Sequence, residues 1–232
     1  MPKHLEREIS RLKTQLLGLS ALVEDSLRDA VAALERRDER LAAAAIASDD
    51  KIDAAEVELE EECLKILAMH QPVANDLRFI VAVLKINNDL ERIGDLAGNI
   101  AERAIFLARA ARVDIPFDFT TMASRVKDML RKSLDALVNL DCALARQVLV
   151  ADDEVDGLHR GMYEVVKRGI LECPEHLNQM IHYLIVSRSL ERIGDSSTNI
   201  AEDVIYMIEG EIVRHHHGPD LPENRAPARV GP

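Results

Sequence analysis

Leu90-Glu91-Arg92-Ile93-Gly94-Asp95, followed by Asn99-Ile100-Ala101-Glu102, returns one hundred residues later as Leu190-Glu191-Arg192-Ile193-Gly194-Asp195 and Asn199-Ile200-Ala201-Glu202. No low-complexity bias accounts for the match, so each copy must be one structural unit. The repetition reaches further out. Asp49-Asp50-Lys51-Ile52-Asp53 returns as Asp152-Asp153-Glu154-Val155-Asp156, and Ala33-Leu34 with Asp38 returns as Ala136-Leu137 with Asp141. The chain reads as a tandem duplication, with one unit over residues 1–113 and a second over 114–212.

Each unit reads as helical. Aromatic residues make up 3% of the 232, Trp is absent, and no strand or hairpin signal stands out. Leu5, Ile9, Leu12, Leu16, Leu19, Val23, Leu27, Val31 and Leu34 recur in steps of three and four, which predicts an amphipathic helix over 5–36. A short Ala-rich helix is expected over 39–47. A helix over 50–69 would be capped by Asp49-Asp50, and one over 73–110 would follow Pro72. The second unit repeats the plan over 118–139, 142–151, 153–172 and 175–210, with Pro174 in the role of Pro72. The fold class expected is all-α: two tandem three-helix bundles related by internal duplication. After about Gly210 the periodicity stops, and residues 213–232, with His215-His216-His217 and four prolines, read as a disordered tail.

The repeated phrase also carries chemistry. At 100° per residue, Glu91, Asp95, Asn99 and Glu102 fall within about 80° of one another on a helix. Leu90, Ile93, Ala97, Ile100 and Ala104 take the opposite side. Glu191, Asp195, Asn199 and Glu202 repeat the arrangement. A lone Glu-x-x-x-Asp on a helix is ordinarily a solvated face. Like charges at i, i+4 oppose the helix, so writing the cluster into both halves needs a reason. Oxygen ligation of hard or borderline cations would relieve the repulsion. Carboxylates of neighbouring helices could complete such sites: Asp25, Asp53 and Glu56 in the first half, Asp128, Asp152 and Asp156 in the second. Gly94 and Gly194, each disfavoured inside a helix, point to close helix approach or room for an ion.

Several classes are set aside on composition. A formal net charge of −12 without a basic stripe argues against nucleic-acid binding. The charged N-terminus has no secretory h-region, and no run approaches the ~18 apolar residues of a membrane span. Cys63, Cys142 and Cys173 are far apart and without Cys-x-x-Cys spacing, as expected of buried thiols in a reducing cytosol.

Gln71-Pro72-Val73-Ala74-Asn75-Asp76-Leu77-Arg78, Leu84-Lys85-Ile86 and the Glu-Arg-Ile-Gly-Asp phrase together resemble the PhoU family of phosphate-uptake regulators, over roughly residues 5–212. The resemblance implies two three-helix bundles, usually a homodimer, in the cytoplasm. It further implies an adaptor that represses phosphate-starvation signalling when phosphate is abundant. The implied partners are the ATPase subunit of the phosphate ABC transporter and a membrane-bound sensor histidine kinase, with membrane contact only through protein partners. Family members can bind metal clusters through Glu/Asp-x-x-x-Asp motifs, which map here to Glu91–Asp95 and Glu191–Asp195. Iron, zinc, manganese and magnesium all stay open. A His commonly follows the Asp in the family's second repeat. This chain carries Ser196 there, which lowers the metal affinity expected of the second half if that His is a ligand.

Two other readings compete. A carboxylate-bridged metalloenzyme is disfavoured because no Glu-x-x-His pair, P-loop or nucleophile with a nearby base is evident. A purely structural helical scaffold with solvated acidic faces differs from the adaptor only in its partners.

Overall fold

The computed structural model describes residues 3–113, 115 and 117–210. The tail expected over 213–232 lies outside the described residues. Seven α-helices and one 3₁₀ turn are described, and no strand occurs among the described residues: α1 (Lys3–Arg36), α2 (Glu39–Ala47), α3 (Asp49–His70), α4 (Ala74–Arg109), α5 (Phe119–Asn139), α6 (Cys142–Glu172), the turn Pro174–His176 and α7 (Leu177–Glu209). None of these helices is long and apolar enough to cross a membrane.

The expected apolar stripe of α1 is the buried one: Leu12, Val23 and Leu27 are fully enclosed, and Leu5, Ile9, Leu16, Leu19 and Val31 nearly so. A tight corner ends the first helix of each half in the same way. Arg37 and Leu140 take the left-handed conformation (φ 54° in both), and the next residue, Asp38 or Asp141, caps the helix that follows. Asp38 accepts from the Arg40 and Leu41 amides, and Asp141 from the Leu144 amide at 3.0 Å. A side-chain acceptor there satisfies amides that the first helical turn leaves without partners.

The halves then diverge. The first breaks its middle helix at Ser48, whereas α6 runs unbroken where a break after residue 151 was expected. Ser48 Oγ donates to the Ala45 carbonyl at 2.6 Å, a local bond that competes with the helical ladder. Ala151, at the matching position, has no such option and is the best of helix formers. The second half therefore holds three helices, not the expected four. The Asp49-Asp50 cap is also not formed: α3 begins at Asp49 itself, and its N-cap Ser48 makes no side-chain cap bond.

α1 and α3 pack on α4 in the first half, and α5 and α6 pack on α7 in the second; α4 and α7 join the halves in the most extensive helix pair of the molecule. Cross-contacts fix their direction. Lys85 pairs with Asp203 at 2.9 Å, Asn199 Nδ2 donates to Asp89 at 3.1 Å, and the Phe106 and His182 rings stack with centroids 3.7 Å apart. As one number rises the other falls, so the two helices run antiparallel. Leu90, Ile93, Ala97, Ile100 and Ala104 are all buried, as their helical phase predicts. Most of the core is one cluster spanning both halves; Val113, Met162, Val166 and Met180 form a small second one.

Candidate functional site

The repeated acidic faces lie along two helix pairs, α3 with α4 and α6 with α7, and the strip where each pair's acids gather is termed its cleft. Glycine brings the walls together. A Cβ added at Gly94 would lie 3.0 Å from Ile52 Cδ1 and 3.1 Å from its Cγ2, so α3 seats its fully buried Ile52 directly on α4. A Cβ at Gly194 would lie 3.4 Å from Asp152 Oδ1 and 3.5 Å from Val155. The close approach read from the two glycines is present at Gly94; at Gly194 a Cβ would make only ordinary contact, and there a carboxylate faces the phrase.

In the first cleft, burial raises the Glu91 carboxyl above its ordinary value, and Asp95, Asp53, Glu56 and Asp49 push it further in the same direction. Asp49 is raised by burial and then by Asp53, Asp95 and Asp50. Glu56 is raised by burial, then by Glu60 and Asp53. Asn87, fully buried on α4, donates to the Glu56 backbone carbonyl at 3.0 Å and to its carboxylate at 3.2 Å, which ties α3 to α4 at the cleft's edge. Here ionisation is opposed by nearby like charge and by partial loss of water.

The second cleft gathers its acids more closely. One carboxylate oxygen each from Asp152, Asp156 and Asp195 all lie within 4.8 Å of one another. Glu191 is raised by burial, then by Asp195 and Asp156, while Arg188 and Arg192 pull it back down. An all-oxygen donor set at this spacing fits a hard cation. It offers neither the sulfur nor the nitrogen donors of a closed structural zinc site.

Not every residue expected at the clefts is brought to them. Asp25 is held by Arg28 of its own helix, and Asp128 by Lys132 at 2.7 Å and Arg131 at 3.5 Å. Both line a groove of about 470 Å³ between α1 and α5, away from the clefts, so neither supports the phrase. Asn99 donates back to the Asp95 carbonyl at 3.0 Å, and Glu102 is drawn to Arg103 at 2.8 Å. Asn199 turns toward α4 and Asp89, and Glu202, half-buried, lies beyond it on α7. Ser196 is fully buried and lies near Asp89, whose carboxyl it pulls back down only slightly against burial. That position points into the α4–α7 seam and not into the cleft, so Ser196 removes no ligand from the Asp152–Asp156–Asp195 group.

Two acidic groups escaped the sequence reading. Asp49, whose position in the sequence predicts a cap, instead belongs to the first cleft. Asp89 sits in the α4–α7 seam, where burial pushes its carboxyl up to about 6, with Asp203 adding to the rise and Asn199, Arg92 and Ser196 opposing it. Its only signal in sequence was its place directly before the first phrase.

The PhoU domain family matches the chain twice, at residues 16–104 and 119–204. A phosphate-specific transport system accessory protein PhoU homolog of Aquifex aeolicus is 38% identical over 213 residues, covering 92% of this chain and 96% of that one. The crystal structure of PhoU from Pseudomonas aeruginosa superposes with a TM-score of 0.85 at 37% identity, over 89% of this chain and 99% of that one. A phosphate transport system regulatory protein PhoU from Streptococcus pneumoniae gives a TM-score of 0.81 at 27% identity, over 90% and 99%. With the family matching both halves and a relative at this identity nearly end to end, the chain belongs to the PhoU family.

Proposed function

We propose that the chain is an accessory protein of phosphate-specific transport that works in the cytoplasm as a homodimeric adaptor. It binds the ATPase subunit of the phosphate transporter and a sensor histidine kinase, and it holds phosphate-starvation signalling off while phosphate is abundant. The observation that carries this reading is the end-to-end relationship to proteins named as accessory to phosphate-specific transport. An adaptor of this kind acts only through a difference in affinity: it must bind the signalling-silent state of the kinase better than the active one.

The clefts serve the reading as cation-dependent surfaces. Asp152, Asp156 and Asp195, with Glu191 beside them, would hold a hard cation in the second half. Asp49, Asp53, Glu56, Glu91 and Asp95 would do so in the first. When bound, the cation supplies positive charge that offsets carboxylate repulsion, and it does no covalent chemistry. The protein's own part is positional: Gly94 lets α3 close onto the first phrase, Asp152 and Asp156 of α6 stand by Asp195 of the second, and Asn87 ties Glu56 of α3 to α4.

Expression from a phosphate-starvation promoter in phosphate-rich medium tests the regulator. Deletion of the gene should raise expression and its return should silence it; unchanged low expression after deletion overturns the reading. Charge reversal at Glu91 and Asp95 should derepress the promoter while the protein stays folded by circular dichroism. Normal repression by that folded variant would strip the first cleft of its role and leave the adaptor standing.

A further inference from the structure

The turn between α6 and α7 brings together a different donor set from that of the clefts. α6 ends at Glu172, and the Cys173 amide donates back to the Gly169 carbonyl at 2.9 Å. Pro174 opens the 3₁₀ turn, and the His176 amide donates to the Cys173 carbonyl at 3.0 Å, which closes Cys173 to His176 into one loop. Within that loop the Cys173 sulfur, a Glu175 carboxylate oxygen and a His176 ring nitrogen all lie within 4.8 Å of one another. Cys173 and His176 are half-buried, and Glu175 faces solvent.

Beside the turn lies a cavity of about 270 Å³, lined by Val113, Val165, Gly169 and Met180, by the charged Arg168 and Glu172, and by Cys173 and His176 of the turn. Its floor is the small second core. Gly169 leaves no room to spare there: a Cβ at that position would lie 2.7 Å from Met180 Cε. Two of the three donors, Cys173 and His176, therefore line a mixed pocket, on a loop braced by two backbone hydrogen bonds and a proline ring.

We propose that Cys173, Glu175 and His176 form a zinc-binding site. A thiolate and an imidazole select a borderline cation over the hard cations that suit carboxylates alone. Three protein donors leave a fourth tetrahedral position open, as in zinc sites that keep a water or an exchangeable ligand. On binding, the Cys173 thiol proton passes to solvent as the zinc–sulfur bond forms, and no electron is transferred. The other two cysteines do not compete. Cys63 is buried with its thiol pushed up to about 12, and Cys142, half-buried beside Glu209, is pushed up to about 11. The site would pin the α6–α7 connection, whose counterpart in the first half, Gln71–Ala74, carries no Cys, His or acidic residue.

Titration of the reduced, full-length protein with Co²⁺ tests the site. Cobalt bound to a thiolate gives a near-ultraviolet sulfur-to-metal charge-transfer band; the carboxylate clefts and the His215–His217 imidazoles give none. The expected result is such a band at one equivalent, bleached by Zn²⁺, retained in Cys142→Ser and in Asp195→Asn, and lost in Cys173→Ser. His176→Ala should weaken Zn²⁺ binding by at least about tenfold, since even outer-shell partners are worth that much. Absence of the band in the parent protein, or its survival in Cys173→Ser, overturns the proposal. Circular dichroism on each variant confirms that the helices persist.

Discussion

In the first cleft Glu91 has Asp95, Asp53, Glu56 and Asp49 as electrostatic neighbours and nothing that lowers its carboxyl; in the second, Glu191 has Asp195 and Asp156 for company, with Arg188 and Arg192 drawing it down. The phrase is the same in both; the difference arises partly outside it, at Arg188, and partly in its own arginine, since Arg192 acts on Glu191 whereas Arg92 acts on Asp89. Asn87 and Asn88 stand on α4 where Ser187 and Arg188 stand on α7. One copy offsets part of the repulsion with its own arginines and gathers three oxygens closely. The other carries more acid with less relief. A shared motif thus fixes where charge is placed, while its neighbours decide how strongly that charge calls for a counterion.

The largest contrast expected between the halves is mechanical. An alanine gains about 1 kcal/mol of helix preference over glycine at either phrase. At Gly94 that gain is met by Ile52 at 3.0 and 3.1 Å, and at Gly194 by ordinary contact from 3.4 Å outward. Gly94→Ala should therefore be less stable than Gly194→Ala by about 2 kcal/mol in urea unfolding, the middle of the range for overpacking. Equal stabilities would show that α3 yields as readily as α6.

Cation affinity comes next. Asp195→Asn should reduce Mn²⁺ binding measured by calorimetry at least about tenfold, ~1.4 kcal/mol, and Asp95→Asn should reduce it less, because the second cleft already gathers its oxygens. A larger loss from Asp95→Asn would mean that charge outweighs preorganisation here.

Asp89 lies in the seam that separates the two clefts, and its pH dependence has a definite sign. The folded carboxyl holds its proton up to about 6, against 3.8 for the free group. Between those values the native state binds more protons than the unfolded one, so stability falls as pH rises through the window. Asp89→Asn removes that loss and keeps an acceptor for Asn199. The variant should gain on the order of 1 kcal/mol at about pH 7 and nothing below about pH 4. A gain that persists in acid would point to packing instead of titration.

The smallest effect is Glu91→Gln in the metal-free protein. Removing one charge from the more acidic cleft should stabilise it by ~0.3 kcal/mol, and Glu191→Gln should do less because its arginines lose a partner. Thermal unfolding at low salt would resolve the order of the two.

The architecture was open to reading from periodicity and repetition, because helical phase depends on each residue's own neighbours. The apolar side of the phrase is the buried one for the same reason. The unbroken α6 was not legible: Asp152-Asp153 reads like Asp49-Asp50, and the choice fell to Ser48 against Ala151. Asp53 and Asp156 could be found from the repeat, since both copies place them one helix away from the phrase. Asn199 could not, because its side chain follows the α4–α7 seam and Asp89, a contact between residues far apart in the chain.

In a symmetric dimer of single repeats every contact across the shared axis must serve twice, so its surface has to be complementary to itself. Covalent fusion lifts that demand. Lys85 and Asp203 meet across the α4–α7 pair, yet the positions related to them by the repeat are Ile185 and Arg103; Asp89 and Asn199 meet, while Ser189 and Asn99 stand at the related places. The seam has become a lock and key between unlike copies. Once pairing no longer depends on likeness, each half is free to change its outward face on its own, and one molecule can present two different surfaces at opposite sides of a single rigid spine.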